Sequence, residues 1–424
     1  MEQVKRPLHG AITVPGDKSI GHRAVIFASI ARGKSRIYNL SAGEDNRTTV
    51  EAFKNLGVKI SDDGGVLSIE GNGWEGLRPP QRVIDCGNSG TTMRLLSGVL
   101  AGRPFAATLD GDPSLRQRPM QRVIDPLNLM GARIQSGNQS CAPLEIHGGR
   151  LKGIRYATPV ASAQVKSAMV LAGLQADGVT IITEPQQSRD HTEIMARAFG
   201  AELEVTRGRT VSVAGGRELS AADVHVPGDL SSAAFFMVAA ATVPGSDVLI
   251  RDVGCNPTRA GVIDVLRQMG ASIEFLRPRK EAGEAVADLR VIGGTLKGVE
   301  IAPEMVARTI DEYPILSVAA ALAEGATTIS GAKELRYKES DRIAVMTEQL
   351  RRLGVKVEER EDGMRIEGRR GLAGGSVKSY GDHRVAMALA VAGLSSRGGV
   401  EIDDTACADI SFPGFFELLE SVCR

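Results

Sequence analysis

The sequence predicts an α/β protein made of six copies of one repeat, strand–helix–strand–helix–strand–strand, with three copies in each half of the chain. Three observations carry that reading: a tetrapeptide recurs half a chain apart, a helix-stop signal recurs five times, and polar residues concentrate where strands run into helices.

The tetrapeptide is Val14-Pro15-Gly16-Asp17, repeated as Val226-Pro227-Gly228-Asp229. Each copy follows a short alternating strand and opens an apolar helix, over Ala24–Ala31 and Ala233–Ala241. Self-similarity at a fixed offset is the mark of a repeat architecture. The helix stop is a Gly between an apolar residue and a new strand: Leu56-Gly57-Val58, Met130-Gly131-Ala132, Phe199-Gly200-Ala201, Met269-Gly270-Ala271 and Leu353-Gly354-Val355. Gly suits a helix end because it enters the left-handed region without a Cβ penalty. A second strand and another Gly follow, as in Leu67–Gly71 and Leu144–Gly148. The repeat so defined is about 70 residues long, against roughly 20–50 for most solenoids. Six copies open near residues 11, 81, 153, 222, 298 and 375, the last without its closing hairpin.

The first strand-to-helix joins hold Asp17-Lys18-Ser19, Asn88-Ser89-Gly90-Thr91, Ser162-Ala163-Gln164, Asp229-Leu230-Ser231, Asp311-Glu312 and Asp382-His383-Arg384. Ser, Thr and Asp there are ordinary helix N-caps. Lys and Arg are not explained that way, because the helix dipole disfavours a cation in the first turn. Cations beside several helix N-termini make sense if an anion sits among them. Gly71-Asn72-Gly73-Trp74-Glu75-Gly76 fits a dinucleotide fingerprint, but Leu77-Arg78-Pro79-Pro80 follows and no helix can start there, so that motif is rejected.

Composition narrows the function. Lys plus Arg and Asp plus Glu number 51 each, so the chain is neutral, and a one-signed field for nucleic acid or an anionic membrane is excluded. Aromatics are 4% and Gly numbers 49, so the core is aliphatic and the turns are tight. Five Cys and six His are scattered without ligand spacing; the thiols read as reduced and buried, and no metal site is expected. The start, Met1 to Arg6, carries no targeting pattern, and the longest apolar run, Ala233 to Val243, is too short to span a bilayer. A cytoplasmic protein is expected.

Two longer motifs give the chain a relative. Pro15-Gly16-Asp17-Lys18-Ser19-Ile20-Gly21-His22-Arg23 and Gly87-Asn88-Ser89-Gly90-Thr91-Thr92-Met93-Arg94 closely resemble the two signatures of the 5-enolpyruvylshikimate-3-phosphate (EPSP) synthases. The likeness continues through Arg116–Pro119, Ser162–Ser167, Ser188–His191, Asp311–Pro314, Arg336–Arg342 and Asp382–Arg384, so it spans essentially the whole chain in order. It implies a two-domain inside-out α/β barrel with three βαβαββ repeats per domain, the domains being 1–14 with 226–424 and 15–225, and with helix N-termini converging on the cleft between them. It also implies a transferase that moves the enolpyruvyl group of phosphoenolpyruvate to the 5-hydroxyl of shikimate 3-phosphate with release of phosphate. No cofactor or metal is required, a monomer is expected, and glyphosate is the expected inhibitor.

The resemblance assigns residues as well. Shikimate 3-phosphate falls to Lys18, Ser19, Arg23, Ser162, Ala163, Gln164, Arg189, Asp311 and Lys338. Phosphoenolpyruvate falls to Lys18, Gly90, Arg118, Gln164, Arg342 and Arg384. Asp311 is the expected base for the hydroxyl, with Glu339 and Lys18 serving proton transfer at carbon. The residue types fit, since the substrates carry phosphates and carboxylates and Arg binds both bidentately. The related transferases acting on UDP-N-acetylglucosamine carry Lys-Asn in the first motif and often a Cys in the second-repeat loop; here the pair is Lys18-Ser19 and Asp112–Pro119 holds no Cys. A non-catalytic relative would be expected to lose Asp311 or Glu339, and both are present. Gly21 stands where the family usually has Ser, and Ile410 where many members have Lys. With Ser162-Ala163-Gln164, these departures point to a divergent bacterial subgroup.

Overall fold

The computed structural model describes residues 7–137 and 140–423; Met1–Arg6, read above for targeting signals, lie outside them. The chain divides into two compact lobes. The terminal lobe takes in the chain up to Pro15, Pro227–Lys280 and Ala285 onward; the central lobe is Gly16–Val226 with Glu281–Glu284. Each lobe has its own hydrophobic core.

The repeats are legible as sheets. Five sheets have four strands and one, formed by Leu372–Val377 and Ser396–Ile402, has two, as expected for a last repeat without its hairpin. In each larger sheet a short parallel strand lies beside a central strand, and an antiparallel hairpin completes it. Ile84–Asp85, Ala106–Asp110, Leu144–His147 and Arg133–Ser136 lie side by side in that order.

Two opening strands are exchanged between repeats. His9–Thr13 pairs in parallel with Asp247–Gly254, aligning Ile12 with Ile250, whereas Val224–His225 pairs with Arg32–Tyr38, aligning Val224 with Ile37. The exchanges fall at the two Val-Pro-Gly-Asp copies, and the Gly in each is required by close backbone approach. A Cβ on Gly16 would stand 1.9 Å from the Asn39 carbonyl oxygen, and one on Gly228 would stand 3.2 Å from the Asp252 carbonyl oxygen and 2.9 Å from Val14 Cγ2.

The helices follow from the same grammar. All five helix-stop glycines, at 57, 131, 200, 270 and 354, have positive φ, from 78° to 115°. Asp17, Ser89, Ser162, Asp229 and Asp382 each accept a hydrogen bond from a backbone N–H in the turn they cap. At the sixth join Glu312 makes no such bond, and Pro314 sits in the first turn of Tyr313–Leu322 instead. The helix Leu230–Ala241 is buried at all 12 positions, which is why it reads apolar all round. Cys86, Cys255 and Cys407 are buried free thiols as expected, but Cys141 and Cys423 are only half-buried. No helix among the described residues is long and apolar enough to cross a membrane.

Candidate active site

In the central lobe the predicted residues sit at the mouths of three helices. Lys18 opens the helix Lys18–Ile30, and its ammonium lies 2.6 Å from Asp45. Sequence reasoning missed Asp45: the acids of Glu44-Asp45-Asn46 read as first-turn helix chemistry. Ser19 contributes its carbonyl to Arg23 Nη1 at 2.8 Å. Arg23 is buried, and Nε and Nη2 donate to Thr192 Oγ1 and Ser167 Oγ at 2.6 and 2.8 Å. Burial pushes its pKa down to about 10. Gly90 is the first residue of Gly90–Ala101, capped by Ser89. Arg118 Nη2 donates to Asn88 Oδ1 at 2.8 Å, just before that helix. Ser162 caps Ala163–Gly173, so Ala163 offers a first-turn position. Gln164 links two of these mouths: its Oε1 accepts from Arg94 Nη1 at 2.7 Å and its Nε2 donates to Thr91 at 2.8 Å. Arg94 was visible in the second motif but unassigned; its reach across to Gln164 spans residues distant in sequence. Arg189 is half-exposed in the loop after the strand Val179–Thr183.

In the terminal lobe a second set gathers. Arg342 opens the helix Arg342–Arg352 and its side chain is 1% exposed. It donates to Asp382 from Nε at 2.8 Å and to Glu339 from Nη2 at 2.7 Å. Ser340 donates to the same Asp382 at 2.9 Å. Burial opposes the Asp382 charge, but Arg342 outweighs it and holds the carboxyl below its ordinary range. Arg342 Nη1 is buried with no hydrogen-bond partner among the described residues. Arg384, on His383–Gly393, donates to the Asp311 carbonyl at 3.1 Å. Asp311 is half-buried just ahead of Tyr313–Leu322, and Lys338 and Glu339 are half-buried ahead of Arg342. Asp382 was read only as part of a motif, because a buried carboxylate that caps a helix and also holds an Arg looks, in sequence, like a cap alone.

The first-turn cations Lys18 and Arg342 are thus matched by protein carboxylates that the sequence order hides. The geometry can bind anions: capped helix N-termini offer N–H groups, and Lys and Arg stand beside them. No group of His, Cys, Asp and Glu suited to a metal occurs among the described residues.

Residues 3–419 match the profile of the EPSP synthase (3-phosphoshikimate 1-carboxyvinyltransferase) family. The chain belongs to the EPSP synthase family. It is similar to the 3-phosphoshikimate 1-carboxyvinyltransferase of Geobacter metallireducens, 56% identical over 98% of this chain and 97% of that protein. The protein of the same name from Halorhodospira halophila is 55% identical over 97% of this chain and 93% of its own length. Among solved structures, an EPSP synthase from Acinetobacter baumannii superposes with a TM-score of 0.89 at 46% identity, covering 99% of this chain and 96% of that one. An enolpyruvyl transferase from Streptomyces tendae shares the fold, with a TM-score of 0.79 at 18% identity over 98% of this chain and 95% of that one. The architecture of six small mixed sheets is therefore an EPSP synthase fold. The activity is that of an EPSP synthase, a transferase of the shikimate pathway.

Proposed function

We propose that the two sets of side chains together bind phosphoenolpyruvate and shikimate 3-phosphate and run an addition–elimination between them. Asp311 takes the proton of the shikimate 5-hydroxyl, while Glu339 or Lys18 delivers a proton to the methylene carbon of phosphoenolpyruvate. The new C–O bond gives a tetrahedral intermediate, which loses phosphate and a methyl proton to regenerate the enolpyruvyl group. Acid and base exchange roles between the two halves of the reaction. Lys18, Ser19, Arg23, Ser162, Ala163, Gln164, Arg189, Asp311 and Lys338 hold shikimate 3-phosphate; Lys18, Gly90, Arg118, Gln164, Arg342 and Arg384 hold phosphoenolpyruvate. The cations stabilise charge directly, so no cofactor enters the scheme.

The observation that carries this assignment is Arg342 Nη1, a buried guanidinium nitrogen with no partner among the described residues. A buried donor is costly to leave unmatched, and a carboxylate or phosphate oxygen is the acceptor this chemistry supplies. We also place the chain in the divergent bacterial subgroup, read its fold as a two-domain inside-out α/β barrel, and take it to be a cytoplasmic monomer that glyphosate inhibits. The test is phosphate release from the two substrates in wild type and Asp311→Asn. The expected result is release by wild type and a fall in kcat of about 10²-fold or more in the variant, with shikimate 3-phosphate binding mostly retained. Near-normal kcat in the variant would remove Asp311 from the mechanism.

A further inference from the structure

Beneath the loops assigned to shikimate 3-phosphate, the central lobe buries a group of charges that the mechanism does not use. Lys166 projects from the helix Ala163–Gly173 with its side chain 1% exposed. Its ammonium lies 2.9 Å from Glu184 and 2.8 Å from Glu193. Burial works against the lysine charge, yet the two carboxylates outweigh it and hold its pKa above the ordinary value. An ion cluster so deeply buried is not needed to fill space, because aliphatic side chains of similar volume pack at least as well.

The hydrogen bonds of Glu184 show what the charge achieves. Oε1 accepts the backbone N–H of Ser162 at 3.1 Å. Oε2 accepts the hydroxyl of Ser188 at 2.9 Å and its N–H at 3.4 Å. One oxygen therefore holds the turn that leads into Ser162-Ala163-Gln164, and the other holds the loop that presents Arg189. Glu193 also faces Lys166 but has no hydrogen bond to either loop among those of the described residues.

We propose that Glu184 is a positioning residue for shikimate 3-phosphate, tying the Ser162 and Arg189 loops into one rigid receptor while Lys166 balances its charge. This rests on the reading that those two loops hold that substrate. An ionised carboxylate accepts on both oxygens, whereas the isosteric amide accepts on one and must turn its NH2 toward either the Ser162 N–H or the Lys166 ammonium. Glu184→Gln therefore frees one loop. The charge change alone acts in the opposite direction, since removing a negative charge near a dianion tightens its binding. The sign of the effect separates geometry from electrostatics.

The experiment measures shikimate 3-phosphate binding without phosphoenolpyruvate, both KM values and the denaturant midpoint for Glu184→Gln and Glu193→Gln. Glu184→Gln is expected to weaken shikimate 3-phosphate about tenfold or more, with the phosphoenolpyruvate KM moved less than about threefold. Glu193→Gln alters the other carboxyl that faces the same ammonium, one that burial holds above its ordinary pKa, and should lower the midpoint while leaving that affinity within about threefold. Glu184→Asp keeps the charge but is one methylene too short to reach both loops, so it should reproduce the loss and carries the test should the amide variant not fold. Wild-type or tighter binding in Glu184→Gln, or an equal loss in Glu193→Gln, overturns the proposal. If instead Ser162→Ala and Arg189→Ala both bind the substrate normally, the underlying assignment of the loops fails.

Discussion

Gly21 occupies the place where the family usually carries Ser, and the structure gives a reason that can be tested quantitatively. A Cβ at Gly21 would stand 2.0 Å from Asn46 Nδ2 and 2.8 Å from Leu40 Cδ1. Asn46 is 1% exposed, and neither polar atom of its amide has a hydrogen-bond partner among the described residues. The amide therefore occupies the volume that a side chain at position 21 would need, and no alternative bond draws it aside. Gly21→Ala must push Asn46 and the start of the helix Glu44–Asn55 outward, an overpacking cost of about 1–3 kcal/mol. Asp45 immediately precedes Asn46 in that helix and holds Lys18 at 2.6 Å, so the same shift should lower kcat. Asn46→Ala removes the obstruction together with an unmatched amide, and by itself should change stability by less than about 1 kcal/mol. The double variant should recover most of the loss, leaving a coupling of about 1–3 kcal/mol in the cycle. Urea unfolding of the four proteins, with kcat measured on each, is the assay. Additive losses in the double variant, or a Gly21→Ala protein within about 0.5 kcal/mol of wild type, would refute the steric argument.

Other perturbations follow from the same geometry. His22 is fully buried 2.7 Å from Thr49 Oγ1, and burial pushes its pKa down to about 3. The unfolded chain takes up this proton first, so the contribution is complete above about pH 6.5 and is lost as pH falls, by up to about 1.4 kcal/mol per pH unit; His22→Gln should flatten stability measured by urea between pH 6.5 and 5, and an unchanged slope would count against it. Asp382→Asn leaves Arg342 buried without its main counter-charge and should cost about 3–5 kcal/mol, with a raised KM for phosphoenolpyruvate; calorimetry and steady-state kinetics check both. Gly90→Ala brings a Cβ to 2.8 Å from Arg94 Nη1, the mobile end of a side chain, so the fold should tolerate it while Arg94 swings away from Gln164. Glyphosate, the longer anion, should then lose about 1–3 kcal/mol more than phosphoenolpyruvate, and equal losses in inhibition at several phosphoenolpyruvate concentrations would show that Gly90 does not discriminate.

Local chemistry was legible in the sequence wherever one short stretch fixes it. The glycines that stop helices at 57, 131, 200, 270 and 354 were readable because only a left-handed residue ends a helix and starts a strand there. The caps Asp17, Ser89, Ser162, Asp229 and Asp382 were readable because a cap and its N–H lie within three residues. The missing hairpin of the last repeat was readable as a break in period, and it appears as a sheet of two strands. The tertiary structure decided the pairings that join distant stretches. Asp45 meets Lys18 across 27 residues, Gln164 meets Arg94 across 70, and Asp382 meets Arg342 across 40. Nothing in the sequence around Arg342 or Arg384 shows that both are buried in one lobe and bonded to specific oxygens. Nor does periodicity show that Glu184 holds two loops, since a buried acid at a strand end has no sequence signature of its own. Hydrogen-bond partners of a backbone cap are set by chain geometry within a turn, whereas the partner of a buried charge is set by which helices the core brings side by side, and only the folded chain contains that information.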